Sequence, residues 1–536
     1  MSNVEREGPL PWVLPFNAQV RDVIYSYIDY IKGVEDLVID SWPLQRLRYV
    51  QQLQAAHFVY PSATHSRFSH SLGVMHVSGR YASQMIKSAL EALPASSRFL
   101  QEIRGHVREL VLAARLLGLL HDIGHGPFSH AFDTYVYKTR KFLNYVVGNH
   151  EIVGYLIYRD YLREVIGKGL SEGAKYLGID PEYVLEVLDE GMKPPPGMRE
   201  YTELTSRNVL GPDDFFYPTP DKGVKTLIRL IVRDYVYTSD IIDYLRRDSY
   251  YTGLAIGGIN EEWIIRNTFT VEYQGLLTLA LSTKAIDDLR RLLEARKLMY
   301  KNVYFHHVNI AFVETLGRLF DCLKSFIAGV LEDMFSDPAK LSKYVALTDA
   351  SVYGLLSSAG VSGKLECEDE EFARKALESV LMRRKPLWKM VHRISADLRD
   401  VRTLFSARFG EQLQAKFKEE VVKEVSSALA GKGIDEKDVL VLINKVDVYP
   451  SSSSEIVRFL LLTNLKDNKP LGFREEELQS FAIRNGLISE VLLTLYIDRS
   501  KYSSLSEQEV ARARDAFESV ARDLAREAGR EAPETS

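Results

Sequence analysis

Nine of the twelve histidines fall between residues 57 and 150, so metal ligands or proton carriers are to be sought in that stretch. The phrase LLGLLHDIGHGPFSH (116–130) sets His121 beside Asp122 at the end of an apolar helical run, followed by two glycines, a proline and two more histidines. A turn of that composition can aim several side chains into one cavity. Imidazole offers a neutral nitrogen and carboxylate an anionic oxygen. That mixed set suits Zn, Fe, Mn or related divalent ions better than it suits Ca, which prefers oxygen alone; the expected cofactor is a divalent ion, with Mn, Fe, Zn, Co, Ni and Mg all open. An isolated His-Asp pair more often caps a helix than binds an ion. His125, His130 and His150 could supply the proton that a leaving alkoxide needs, because free imidazole titrates near physiological pH. Arg67 precedes His70 by three residues, so on a helix the two share a face, and a guanidinium there can grip phosphate oxygens with two hydrogen bonds.

The elements that must position these groups are mostly helical. Apolar residues recur three and four apart over 98–120, 223–247, 277–300 and 308–334, with Ala, Leu, Arg and Glu between them. Prolines interrupt the pattern at KPPPG (193–197) and GPDDFFYPTP (211–220), so 190–222 reads as a surface excursion with the character of a lid. After Gly431 the β-rich runs 438–448, 456–465 and 490–498 alternate with turn-forming residues. From Glu507, Val510, Ala513, Phe517, Val520 and Leu524 form one helical stripe, too short for a free coiled coil and suited to docking. The expectation is a mainly α protein: a helical core over 1–400, a small α+β lobe over 401–505, and an amphipathic helix with a tail over 506–536.

A chain of 536 residues with 46% hydrophobic content can bury a substantial core. Net charge is −5, with basic and acidic residues interspersed, so bulk nucleic-acid binding is not indicated. Cys322 and Cys367 stand far apart and form no CxxC pair; neither a disulfide framework nor a thiolate metal site is expected, and a reducing cytoplasm fits. No run reaches the roughly 18 apolar residues of a membrane span, and the N-terminus lacks the pattern of a targeting signal.

Three phrases around these residues carry a resemblance. YPSATHSRFSHSLGV (60–74), LLGLLHDIGHGPFSH and SDIIDYLRRDSYYTG (239–253) resemble, in order, the motifs of the HD superfamily, specifically its dNTP triphosphohydrolase branch. QRLRYVQQL (45–53) and ARKLMYKNVYFHH (295–307) extend the similarity, which runs from about residue 17 to about 498 without a recognisable sterile alpha motif domain. The resemblance implies that His70, His121, Asp122 and Asp240 are ligands of a divalent ion. Such an ion lowers the pKa of bound water and withdraws charge from a phosphoryl oxygen. It further implies catalytic roles for His130 as general acid, with His125 close behind, for His150 in the phrase NHE, and for Asp133 as the carboxylate that orients a histidine. Arg67, Gln52, Leu53, Tyr244, Asp248, Arg296 and Tyr304 would line the substrate pocket. Tyr244 and Asp248 lie four apart on the face of Asp240, where a carboxylate can accept from a sugar hydroxyl and a tyrosine ring can exclude a 2′-OH.

Asp40, Gln45 and Arg48 match positions that hold a regulatory guanine nucleotide between subunits in the resembling enzymes, with Arg384 near another; an ordinary salt bridge is the competing explanation. A deoxynucleotide substrate, a nucleotide effector and a homo-oligomer are the implied partners. His57, His76, His106 and His392 match nothing and read as structural. Ile241 departs from the family, standing where the sterile-alpha-motif enzyme has a phosphate-binding lysine, and Phe305 and His307 also differ. The expected reaction is hydrolysis of a dNTP to deoxynucleoside and triphosphate. The alternatives are another HD nucleotidase or phosphodiesterase, and a nucleotide-sensing or nucleic-acid-binding assembly protein with a vestigial site.

Overall fold

The computed structural model describes residues 14–530 apart from 218–221, 257, 363–366, 368, 383–384, 406–409, 449–457 and 467–468. Arg384, expected near a regulatory site, lies outside the described residues. Two compact units interleave along the chain. The first comprises Met1–Leu292, Gly317–Glu370 and Phe459–Glu476; the second comprises Leu293–Leu316, Glu371–Arg458 and Glu477–Ser536. Helices dominate. The described strands are β1 (Ala18–Asp22), β2 (Ser26–Tyr30), β3 (Thr268–Tyr273), β4 (Leu276–Ser282), β5 (Trp388–Asp397), β6 (Val439–Val446), β7 (Arg458–Lys466), β8 (Lys469–Glu477) and β9 (Glu490–Asp498).

In the first unit, helix Arg67–Ala92 packs on helix Val107–Leu120. From Glu109 to Leu120 the second helix is buried on every face, which accounts for its nearly unbroken apolar sequence. Small residues set the approach: a Cβ on Gly118 would stand 2.6 Å from Ser78 Oγ and 3.0 Å from the Val74 carbonyl. Arg115 is tied to Glu35 through Nε (2.6 Å) and Nη2 (3.0 Å), joining the segment after the β1–β2 hairpin to this central helix. A four-stranded sheet, β3-β4-β7-β8, completes the unit, with β4 and β7 parallel through Ala280 and Leu460.

In the second unit β9 lies between β5 and β6, antiparallel to both. Helices Gly410–Ala428 and Glu507–Arg530 share its core, where Phe417, Val421, Val441, Leu493 and Phe517 meet. The C-terminal helix is therefore docked along its Ala513, Phe517 and Leu524 stripe. Three runs anticipated as strands are strands. The 401–505 region is divided, since Phe459–Glu476 belongs to the first unit.

Several helix expectations need correction. Residues 276–282 are a strand, because Gln274 and Gly275 (φ 53° and 79°) turn β3 back onto β4; a short apolar run has no decisive period of its own. His106 (φ −133°) breaks 98–120 into two helices, and 223–247 is interrupted by a π-helical turn at Leu230–Asp234 before helix Ser239–Thr252 begins. Within 190–222 there is a helix, Met198–Ser206, and Leu204, Leu210 and Phe215 are buried, so this segment is packed down by apolar anchors. The cysteine reading is also overturned: Cys322 and Cys367 form a disulfide across a sequence separation of 45, with Cα atoms 4.4 Å apart. Distance along the chain carried no information about distance in space, and the cysteine-based argument for a reducing compartment falls with it. No helix among the described residues is long and apolar enough to cross a membrane.

Candidate metal centre and its surrounding histidines

His70 lies on the first turn of helix Arg67–Ala92, His121 caps helix Val107–Leu120, and Asp240 opens helix Ser239–Thr252. One ligand atom from each falls within 4.8 Å of the others. His121 Nδ1 donates to the Gly118 carbonyl at 2.7 Å, which leaves the Nε2 lone pair to face the cluster. That Nε2 is buried and has no hydrogen-bond partner. It stands 3.4 Å from Asp122 Oδ1 and 3.7 Å from Asp240 Oδ1. His70 donates from Nδ1 to Asp243 at 2.8 Å, and its Nε2 faces Asp240 Oδ1 at 3.1 Å. Burial opposes a charge on His70, but the hydrogen bonds to Asp240 and Asp243 prevail and lift its pKa to about 10. The pocket thus favours a positive charge between His70 and Asp240. An orphaned imidazole nitrogen, carboxylates and that preference together fit a divalent cation with mixed N and O ligands. Asp240 is the most accessible member, its side chain 32% exposed.

Asp122 is the junction of the site. One carboxylate oxygen pairs with Arg67 Nη1; the other stands 3.4 Å from both His121 Nε2 and His125 Nε2. Burial would raise its pKa, but Arg67, His121 and His125 hold it well below the ordinary carboxylate range. The expected phosphate grip of Arg67 therefore starts from a buried guanidinium already engaged with Asp122 and, through Nε, with Ser129 Oγ at 2.7 Å. Gly124 is required where the loop passes helix His150–Ile157: a Cβ there would lie 2.0 Å from the His150 carbonyl oxygen and 2.3 Å from the Gly154 nitrogen.

Beyond Asp122 a second group converges: His125, His130, Asp133 and His150. Asp133 Oδ2 accepts from His130 Nδ1 at 3.1 Å and from His150 Nδ1 at 2.8 Å, while Oδ1 accepts the His150 backbone N–H at 3.0 Å. His125 stacks on His150 with ring centroids 3.5 Å apart. Burial and the Arg67 charge hold the His125 pKa well below its usual value, so it is neutral at pH 7. The His130 side chain is 60% exposed, the most open of the set, with its Nδ1 held by Asp133.

A family model described as HD domain matches residues 67–169, which include His70, the His121-Asp122 pair and the whole second group. The chain carries an HD domain. It is also similar to the uncharacterised protein MJ1154 of Methanocaldococcus jannaschii, at 30% identity over 54% of this chain and 46% of that protein. Deoxynucleoside triphosphate triphosphohydrolase SAMHD1 of Bos taurus is 25% identical over 54% of this chain and 44% of its own length. The SAMHD1 homologue of Dictyostelium discoideum is 25% identical over 70% of this chain and 60% of its own. The chain thus spans about half the length of these curated relatives.

Sequence reading missed the groups that fasten the HD loop. Phe128 and Ser129 both have φ 55°, an uncommon conformation for residues with a Cβ. Buried Asp349 holds them, accepting the Phe128 N–H at 2.8 Å and the Gln51 N–H at 3.1 Å, and Ser129 Oγ donates to the Gln51 carbonyl at 2.6 Å. Arg46 donates to the carbonyls of Ile123 and His125 within the loop and to that of Leu347. Tyr344 donates to the Gly124 carbonyl at 2.8 Å. Tyr344 and Asp349 come from sequence far from the motif, where no local signal marks them; Arg46 and Gln51 lie in the phrase 45–53, where the resemblance gave them no role.

The remaining expected pocket residues fall into two groups. Asp248 is buried and accepts from His65 Nε2 at 2.8 Å, with His65 stacked on Tyr251; Tyr244 is half-buried on the same helix as Asp240. Leu53 is buried, and Gln52 Oε1 is enclosed without a hydrogen-bond partner. The Ile241 side chain is buried, so the helix offers an apolar group at that position. Arg296 and Tyr304 belong to the second unit, where Arg296 Nη2 donates to Tyr300 at 3.1 Å and Tyr300 packs edge-on to Tyr304. Of the expected regulatory residues, Arg48 donates to Gln45 Oε1 at 2.7 Å and lies over Phe68, while Asp40 is exposed at the end of helix Glu35–Ile39.

Proposed function

We propose that the protein is a metal-dependent phosphohydrolase that cleaves a deoxynucleoside triphosphate into deoxynucleoside and inorganic triphosphate. The observation that carries the reading is the position of Asp122, between the His70, His121 and Asp240 cluster on one side and the histidine group built on Asp133 on the other. His70, His121, Asp122 and Asp240 would hold a divalent ion, which supplies Lewis acidity towards a phosphoryl oxygen and towards water. Water adds to the α-phosphorus and the bond to the 5′-oxygen breaks. His130, solvent-facing and oriented by Asp133, delivers the proton to the departing 5′-oxygen. His125 and His150 face the phosphates, and Arg67 steadies Asp122 as charge shifts across the site. Tyr244 and Asp248 take the sugar, a reading supported by their place on the Asp240 helix and by the deoxynucleoside triphosphate triphosphohydrolase activity for which the SAMHD1 relatives are named.

Incubating the purified protein with each dNTP and with Mn, Co, Mg, Ni, Zn or Fe(II), then separating products by chromatography, tests this. Deoxynucleoside with inorganic triphosphate is the expected pair; mono- or diphosphate products, or no turnover with any ion, would refute it. A second reading, a nucleotidase or phosphodiesterase of the same superfamily, is favoured by one observation. Ile241 places a buried alkyl group where the resemblance calls for a phosphate-binding cation. Shorter phosphate substrates in the same assay separate the two.

A further inference from the structure

The imidazole of His70 is held from behind by charged groups to which the motif resemblance gives no role. Asp243, fully buried, accepts from His70 Nδ1 at 2.8 Å. Arg247, one helical turn on, grips the same carboxylate at both oxygens, with Nε at 2.8 Å and Nη2 at 2.9 Å. Arg247 in turn donates from Nη1 to Asp22 at 2.8 Å, at the end of β1. Asp22 is itself fixed by the N–H groups of Ile24 (2.8 Å) and Tyr25 (3.1 Å) in the β1–β2 turn. The opposite face of Asp243 is closed by Gly73, where a Cβ would lie 1.9 Å from Asp243 Oδ1 and 2.4 Å from Arg247 Nη2. Each charge in the row is matched by its neighbour, and the Asp243 carboxylate has no access to water.

We infer that Asp243 is a positioning residue for the metal centre. It fixes the His70 ring with Nδ1 as donor and Nε2 presented to Asp240, and it raises the basicity of that ligand nitrogen; Arg247 and Asp22 hold the carboxylate in register from the N-terminal hairpin. The inference rests on the proposed metal centre and adds a function for a hairpin remote from every motif. Outer-sphere carboxylates of this kind are worth about 10–100-fold in metal affinity.

Co(II) is the probe. Affinity is measured by competition with a chelator, and the paramagnetically shifted imidazole N–H resonances report the hydrogen bond at His70 Nδ1. In Asp243→Asn, Co(II) affinity falls about 10–100-fold and the His70 N–H signal broadens through solvent exchange, while His121→Ala abolishes binding. Gly73→Ala, which displaces the carboxylate but keeps its charge on a helix that tolerates Ala better than Gly, weakens Co(II) in the same direction. Thermal unfolding in EDTA shows that each variant is folded at the assay temperature. Should D243N fail to fold, Asp22→Asn leaves Asp243 in place and loosens Arg247, with a several-fold loss of affinity expected. D243N and G73A binding Co(II) as tightly as the wild type, with H121A binding none, overturn the role of Asp243 and leave the metal centre standing. Wild type and H121A that bind Co(II) alike overturn the metal centre itself.

Discussion

Replacing Asp349 by Asn tests how the HD loop is fastened. The Asp349 carboxyl is buried and accepts N–H groups from Phe128 and Gln51; burial pushes its pKa up to about 7 against those donors and the charges of Arg67 and Arg46. Measured from the ordinary 3.8, that rise makes ionising Asp349 in the fold about 4 kcal/mol harder than in the unfolded chain, at roughly 1.4 kcal/mol per pKa unit. The sign follows from proton binding. Between about pH 4 and pH 7 the folded state keeps a proton that the unfolded state has lost, so the contribution is fully present below 3.8 and gone above about 7. The D349N variant lacks this titration, and the other groups largely cancel in the comparison. Urea unfolding of both proteins from pH 4 to pH 8 should therefore show the stability of the wild type relative to D349N falling as pH rises, by roughly 3–4 kcal/mol in all. A difference that stays flat, or one that grows with pH, would sink the argument, because the N–H donors and guanidiniums would then outweigh burial.

His130→Ala should lower kcat by about 10²- to 10⁴-fold while leaving Co(II) affinity unchanged, the pattern of a proton donor outside the metal ligands; a parallel loss of Co(II) would make it a ligand. Gly124→Ala should destabilise the fold by more than about 3 kcal/mol, because the added methyl meets the backbone of His150 and Gly154 and not a movable side chain. An unchanged urea midpoint would contradict the close approach. Thiol titration of the unfolded, unreduced protein should find no free cysteine, and reduction should cost up to about 4 kcal/mol for a separation of 45 residues. Two reactive thiols would refute the pairing of Cys322 with Cys367.

Helices and docked strands were legible where one side of an element carries the pattern. Ala513, Phe517 and Leu524 announced the docking of the last helix, and the alternating or continuous apolar runs around 441, 461 and 493 announced strands. The failures have a common cause. Residues 276–282 are apolar at most positions, and consecutive residues from Leu279 to Ser282 are buried on both faces of β4, so the run has no period with which to contradict a helix. Nothing local says that β7 pairs with β4 instead of with β5, β6 or β9; the partner shows only in the parallel register of Ala280 with Leu460.

The site divides along the same line. His70, His121 and Asp240 could be singled out because each sits in a phrase with its own signature, and the structure brings their ligand atoms together. The groups that hold them could not. Asp243 lies four residues before Arg247 on one helix, so their ion pair is legible, and that legibility misleads: it offers a complete local explanation for a carboxylate whose decisive partner, His70, is 173 residues away. Asp349 reaches across 221 residues to Phe128 and 298 to Gln51, and it does so through backbone N–H groups, which leave no trace in residue identity. A metal ligand is recognisable because the ion demands particular atoms from it. A buried carboxylate that orients a ligand or fastens a loop meets a demand set by the fold, and the reason for it appears only once the distant donor is in place.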